Sequence, residues 1–275
     1  MLLAVTISKK QCYYSDSYRQ FMNSIPVLGT AIVNNSYWLH RLFMSIDYPV
    51  DNFVVFNNNG RGQITKEVDL IKEIPNRHVS KVHVCHLPSN VGCPGAWNLI
   101  IKCFMNSPYW VIASHDVMFE PGFLQEMNEK AQDNEVGLVH GDHGWDIFLL
   151  KDWMVQQYGL FDENLYPAYC EDFDFSMRSI HDNVKRILKL DHGYYHGKYK
   201  DYSDGSQTWR SEPSIANSIH LGHELNKKYL SLKWGRGWQP HVEEKTYKTP
   251  FNIPEFPVSF TTYDLNFVRK KYLGF

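Results

Sequence analysis

Apolar runs that end in polar residues recur along the first half of the chain. Residues 25–35 (IPVLGTAIVNN) form one such run, closed by two asparagines, as expected of a buried strand leaving a core. Residues 37–47 (YWLHRLFMSID) then place Trp38, Leu39, Leu42, Phe43 and Ile46 at helical spacing. A second strand is read at 52–60 (NFVVFNNNG), a helix at 66–74 (KEVDLIKEI) and a third strand at 81–87 (KVHVCHL). A helix at 95–107 and a fourth strand at 109–116 (YWVIASHD) follow. Strands alternating with helices predict an α/β fold with a mostly parallel central sheet flanked by helices. In such sheets ligands sit beyond the carboxyl ends of the strands. The polar residues fall at those ends: Asn34 and Asn35, Asn57 to Asn59, Asn90, and Ser114 to Asp116. Four in succession point to one lined crevice.

The second half is less regular. Residues 135–153 read as strand, turn, strand, residues 171–182 (EDFDFSMRSIHD) as a helix that opens on acids, and residues 185–197 (KRILKLDHGYYHG) as one more strand. A polar stretch from about residue 200 precedes a helix near 217–235, and the Pro-punctuated residues from 237 onward are expected to wrap the same domain.

Composition narrows the function classes. The chain has 275 residues, 43% of them hydrophobic, enough for one large domain or two small ones. A net charge of −2 argues against a dominant electrostatic grip on nucleic acid, so no nucleic-acid partner is expected. Aromatic residues reach 15%, which suits stacking on sugars or bases as well as a core. The five cysteines form no CxxC pair and are odd in number, which fits reduced thiols better than a disulfide framework. The first ten residues carry too short an apolar run for a signal peptide, and no stretch approaches ~20 consecutive apolar residues. A cytoplasmic protein with no membrane span is the expectation.

Three clusters carry candidate chemistry. On a persisting strand Ser114 and Asp116 point one way and His115 the other. A carboxylate at a strand's carboxyl end can hold a hard divalent ion against phosphate oxygens, or simply cap the turn. Glu171 and Asp172 are adjacent carboxylates, and one of them suits a general base that takes a proton from a hydroxyl. Asp174 and Arg178 are spaced to pair along a helix. His192 and His196 share a strand face, and imidazole is a common transition-metal ligand. The turn NVGCPGAWN, at 90–98, can bring backbone N–H groups near phosphate.

The order of these pieces resembles the GT-A glycosyltransferases of the large family 2 type, over roughly residues 25–235. The segment at 87–102 (LPSNVGCPGAWNLIIK) is similar to the family's Asn-x-Gly-x-x-Gly-Ala-x-Asn run. The strand at 109–124 resembles the one that carries Asp-x-Asp, and YGLFDENLYPAYCEDFDFSMR at 158–178 resembles the family's acidic block. YYHG and NKKYLSLKWG match the late His and the Lys-Trp-Gly. The resemblance implies a Rossmann-like GT-A domain over 1–236, with an N-terminal extension at 1–24 and a tail at 237–275 packed on it. It implies inverting transfer of a sugar from a nucleotide sugar to a hydroxyl of a saccharide acceptor. By the same resemblance Asp172 is the catalytic base with Glu171 beside it. Asp116 binds Mn2+ or Mg2+, with His196 and less closely His192 completing the metal site. Asn57 and Asn58 stand where the family reads uracil. Asn34, Asn90, Asn98, Ser114, His115 and Trp145 are expected to line the rest of the nucleotide-sugar pocket, Trp145 by stacking on a sugar ring. Ser114 replaces the first Asp of the motif. The segment YKTPFN and the compact length also resemble small glycosyltransferases of large algal viruses, one of which transfers xylose. UDP-xylose as donor and an N-glycan as acceptor follow from that narrower likeness. The alternatives are a non-catalytic module that binds nucleotide sugars or glycans, and a His-rich metallohydrolase, for which HGYYHG is a poor helix.

Overall fold

The computed structural model describes residues 23–60, 62–141, 144–179, 182–197 and 205–234. Nearly all of the expected N-terminal extension and all of the expected tail lie outside the described residues.

In chain order the elements are β1 (Ile25–Ile32), α1 (Ser36–Met44), β2 (Val50–Asn57), α2 (Thr65–Asp69) with a 3-10 turn at Leu70–Lys72, β3 (Val79–His86), α3 (Gly92–Cys103) and β4 (Tyr109–Ser114). Then follow β5 (Val117–Phe119), α4 (Phe123–Ala131), β6 (Val136–Gly141), β7 (Gly144–Lys151), α5 (Asp152–Tyr158) and α6 (Glu171–Arg178). The series closes with β8 (Lys185–Ile187), β9 (Tyr194–His196), α7 (Gln207–Arg210) and α8 (Pro213–Trp234). Seven strands make one sheet in the order β3-β2-β1-β4-β7-β6-β8. The first four run parallel, β7 is antiparallel to both β4 and β6, and β8 returns parallel to β6. The mostly parallel α/β architecture is therefore present.

The apolar runs of the central strands are explained by burial on both faces. Successive side chains alternate between two cores. Leu28, Phe53, Val55, Val111 and Leu149 join one, with Phe43 and Phe123 from the helices. Val27, Val54, Ile112, Phe148 and Leu150 join the other, with Ile100, Phe161 and Phe175. No helix among the described residues is long and apolar enough to cross a membrane.

One reading of the sequence needs correction. Residues 185–197 are not a single strand but two, in different sheets. The break between them has a cause remote in sequence. Glu126, on α4, accepts the backbone N–H of Asp191 at 2.9 and 3.0 Å and that of His192 at 2.9 Å. Those donors are thereby withdrawn from any ladder. The chain then pairs anew as β9 against β5, with Val117 opposite His196.

Candidate active site

The carboxyl ends of β1, β2 and β4 open into a cavity of about 810 Å³, closed on another side by residues 205–212 and the first turns of α8. Ser114, His115, Trp145, Asp146, Glu171, Asp172 and His196 all lie on its wall.

β5 and β9 bring Asp116 and His196 together across 80 residues of chain. His196 Nε2 lies 3.3 Å from Asp116 Oδ1, and its Nδ1 lies 3.1 Å from Asp146 Oδ2. All three side chains are at least nine-tenths buried. The two contacts hold the imidazole between carboxylates at ion-pair distance, and among the described residues neither ring nitrogen nor Asp116 Oδ1 has any other partner. The other Asp116 oxygen accepts the Gln207 N–H at 2.5 Å, so Asp116 sits just behind the cavity wall. Burial by itself would depress the imidazole pKa; the facing carboxylates of Asp116 and Asp146 reverse this and lift it to about 10. Burial would likewise raise Asp116, but His196, His115 and the Gln207 N–H hold it at about 2.

α6 presents the acidic pair. Tyr169 and Cys170 enter it with φ of 73° and 79°, a left-handed conformation unfavourable for residues with a Cβ. Asn226 of α8 holds this turn by donating to the carbonyls of Ala168 at 3.1 Å and Tyr169 at 3.0 Å. Gly222 lets α8 come against Pro167, where a side chain would collide with the ring. Glu171 is buried beside Cys93, and its Oε2 has no hydrogen-bond partner. Burial, and then the charge of Asp172, raise the Glu171 pKa to about 8. Asp172 is half-buried, accepts the Phe173 N–H at 2.7 Å, and is raised above the usual range by burial.

Asp174 has a different place. Its Oδ2 lies 3.2 Å from Arg178, and its Oδ1 takes Lys233 at 2.7 Å and Trp234 Nε1 at 2.8 Å. Lys233 also meets Asp162 at 2.7 Å, and Tyr229 donates to the same oxygen at 2.7 Å. The Lys-Trp of the sequence is thus a clamp that fastens the end of α8 under the acidic block.

The other residues singled out from the sequence divide into two groups. Asn58, Asn90, Ser114, His115 and Trp145 line the cavity. Asn58 bonds Gly92 O at 3.2 Å and the Val91 N–H at 2.8 Å, and Asn90 takes the Gly92 N–H at 2.8 Å, so both shape the turn into α3. His115 is buried and its pKa is lowered by desolvation. Trp145 stacks on Trp97 at 6.4 Å. Asn34, Asn57, Asn98 and His192 are absent from the cavity wall. Asn34 is turned to Thr208 O at 2.9 Å, and Asn57 to His86 at 3.0 Å. Asn98 is fully buried and bonds both the carbonyl and the N–H of Phe161 at 2.9 Å. His192 is half-exposed and pairs with Glu126 at 2.9 Å, apart from the Asp116–His196 pair. Asp146 and Cys93 were not singled out. Asp146 follows Trp145 in a glycine-rich turn that looks like a loop in the sequence, and no local pattern ties it to His196.

Among the described residues no group of three or more His, Cys, Asp or Glu side chains is arranged to hold a metal ion. The two ring nitrogens of His196 face different carboxylates, which separates the third group from the first two. What does suit a divalent cation is the buried pair of Asp116 Oδ1 and His196 Nε2, one hard oxygen and one imidazole nitrogen with no partner but each other among the described residues.

No protein-family model matches the sequence, and no curated protein matches it. Solved structures do match. The mannosyltransferase PcManGT from Pyrobaculum calidifontis, in complex with GDP-Man and Mn2+, aligns with a TM-score of 0.56 over 82% of this chain and 69% of its own, at 11% identity. TarS 1-349 of S. aureus aligns with a TM-score of 0.49 at 15% identity, covering 78% of this chain and 74% of that one. Its complex with UDP gives 0.49 at 14%, covering 74% and 65%. The fold is that of the GT-A glycosyltransferases.

Proposed function

We propose that this protein is an inverting glycosyltransferase that moves a sugar from a UDP-linked donor to a hydroxyl of a saccharide acceptor. The observation that carries the reading is one cavity at the sheet's carboxyl edge whose wall holds the Glu171–Asp172 pair and His196, with Asp116 directly behind. Asp172, the more exposed of the acidic pair, takes the acceptor proton. Glu171 keeps its own proton near neutral pH and offers it as a hydrogen bond, because burial and the Asp172 charge both oppose its ionisation. Trp145 and Trp97 give an apolar surface against which a sugar ring can rest. The part of the cavity beyond β2 is lined by the uncharged residues Asn58, Asn59, Gln63 and Asn90, and the base of the nucleotide is assigned there. Asp116 and His196 would hold Mn2+ or Mg2+. Bound there, a divalent cation supplies a charge sink for the departing diphosphate. UDP-xylose is the first donor to test, with N-glycans among the first acceptors.

The test is a thermal-shift series with UDP and GDP, each with and without Mn2+, followed by UDP release from a panel of UDP-sugars and glycan acceptors. Ligand at ~100 times Kd stabilises by about 2.7 kcal/mol, an easily measured shift. UDP should stabilise more than GDP; an equal response removes the case for uracil. Asp172→Asn should lower turnover ~10²–10⁴-fold while the UDP shift persists. Undiminished turnover in that variant moves the base elsewhere. Binding without turnover of any donor would favour a nucleotide-sugar-binding module, the reading that Ser114 supports.

A further inference from the structure

Asp146 is held on the cavity wall by two donors. Its side chain is 7% exposed. The Tyr194 hydroxyl donates to both of its oxygens, at 2.8 Å each, and the Ile147 N–H reaches Oδ1 at 3.2 Å. Oδ2 then faces His196 Nδ1 at 3.1 Å. Tyr194 and His196 are two apart on β9 and so project from the same face. One three-residue strand therefore supplies the hydroxyl that fixes the carboxylate and the imidazole that meets it. On the far side of that ring, Nε2 faces Asp116 Oδ1 at 3.3 Å.

An imidazole binds a metal through the nitrogen that carries no proton. A carboxylate on the other nitrogen selects that tautomer and holds the ring plane. We propose that Asp146 is the positioning residue for His196. It retains the proton on Nδ1 when Nε2 gives up its own, and so presents Nε2, beside Asp116 Oδ1, as the ligand atom for a divalent cation. Tyr194 acts one step further out by fixing the Asp146 carboxylate. The inference rests on the metal reading of the preceding section, and it separates the two carboxylates beside His196 into a ligand, Asp116, and an orienting group, Asp146. An asparagine at this position can turn its NH2 toward Nδ1, which drives the proton to Nε2 and removes the ligand atom.

The test uses the full chain and Mn2+ alone. Free Mn2+ is measured by electron paramagnetic resonance, and bound Mn2+ is examined by spin-echo modulation for imidazole nitrogen. The wild type should bind Mn2+ with nitrogen modulation, and His196→Gln should abolish the modulation. Asp146→Asn should weaken binding about 10–100-fold and lose the modulation even at saturating Mn2+. Tyr194→Phe removes a single oxygen and should shift affinity the same way by less, which keeps the test open should Asp146→Asn fold poorly. Wild-type affinity in both variants overturns the proposal. Weakened binding with full nitrogen modulation in Asp146→Asn also overturns it, because Asp146 would then be a ligand itself. Absence of Mn2+ binding in the wild type overturns it together with the metal reading, while the UDP shift reports separately on the nucleotide reading.

Discussion

Glu171 makes the acidity of the site measurable without a substrate. In the unfolded chain its carboxyl titrates near 4.5; in the fold, burial and the neighbouring Asp172 charge raise it to about 8. Between those values the native state holds a proton that the unfolded chain has released, so stability falls as pH rises. The contribution is intact below 4.5 and is lost by the time the pH passes about 8. At about 1.4 kcal/mol per pH unit, the interval amounts to ~5 kcal/mol as an upper bound. Glu171→Gln retains the shape of the protonated acid and removes the titration. The variant should match the wild type near pH 5 and exceed it increasingly toward pH 8.5, with a difference in Tm on the order of 10 °C. Thermal unfolding of both proteins across that pH range is the assay. Groups remote from Glu171 titrate in both proteins and cancel in the difference. Parallel stability profiles would refute the raised pKa, and with it the assignment of Glu171 as the protonated partner of Asp172.

Two further substitutions separate structure from chemistry. Lys233→Met should cost about 3–5 kcal/mol in denaturant unfolding, because Asp162 and Asp174 stay buried without their shared cation; an unchanged midpoint would mean that the clamp contributes no stability. Asn98→Ala should cost about 2–4 kcal/mol by stranding the Phe161 N–H and carbonyl, yet leave UDP affinity unaltered. A stable Asn98→Ala protein with weakened UDP binding would restore Asn98 to the nucleotide pocket.

The parallel half of the sheet was legible because each strand there is buried on both faces, and burial writes itself into a run such as 109–113 as unbroken apolar sequence. The polar strand ends were legible for the same reason: they mark where the core stops. The pairing of Asp174 with Arg178 was readable from helical spacing. Its second cation, Lys233, was not, since a contact across 59 residues leaves no periodic trace. The division of 185–197 into two strands depends on Glu126, whose capture of two backbone donors is invisible in the local pattern. Asn57 and Asn98 illustrate a more general ambiguity. An asparagine at a strand end or in a helix offers the same groups to a ligand as to a neighbouring backbone, and only the fold decides which takes them. Asp146 is the converse case, a residue with no pattern of its own whose surroundings are made by β9.

The grip of α8 on the acidic block also sets the order in which the molecule can be assembled. Lys233 lies 71 residues after Asp162, and Trp234 lies 60 residues after Asp174. Synthesis at ~5–20 residues per second separates Lys233 from Asp162 by roughly 4–14 s. During that time the central strands have all left the ribosome and can pair, while Asp162 and Asp174 still lack the cation they share. A nascent chain can therefore acquire its sheet before it acquires a fastened acidic block. A chain halted between His196 and Pro213 would keep the strands and leave the turn at 166–170 without the helix that holds it.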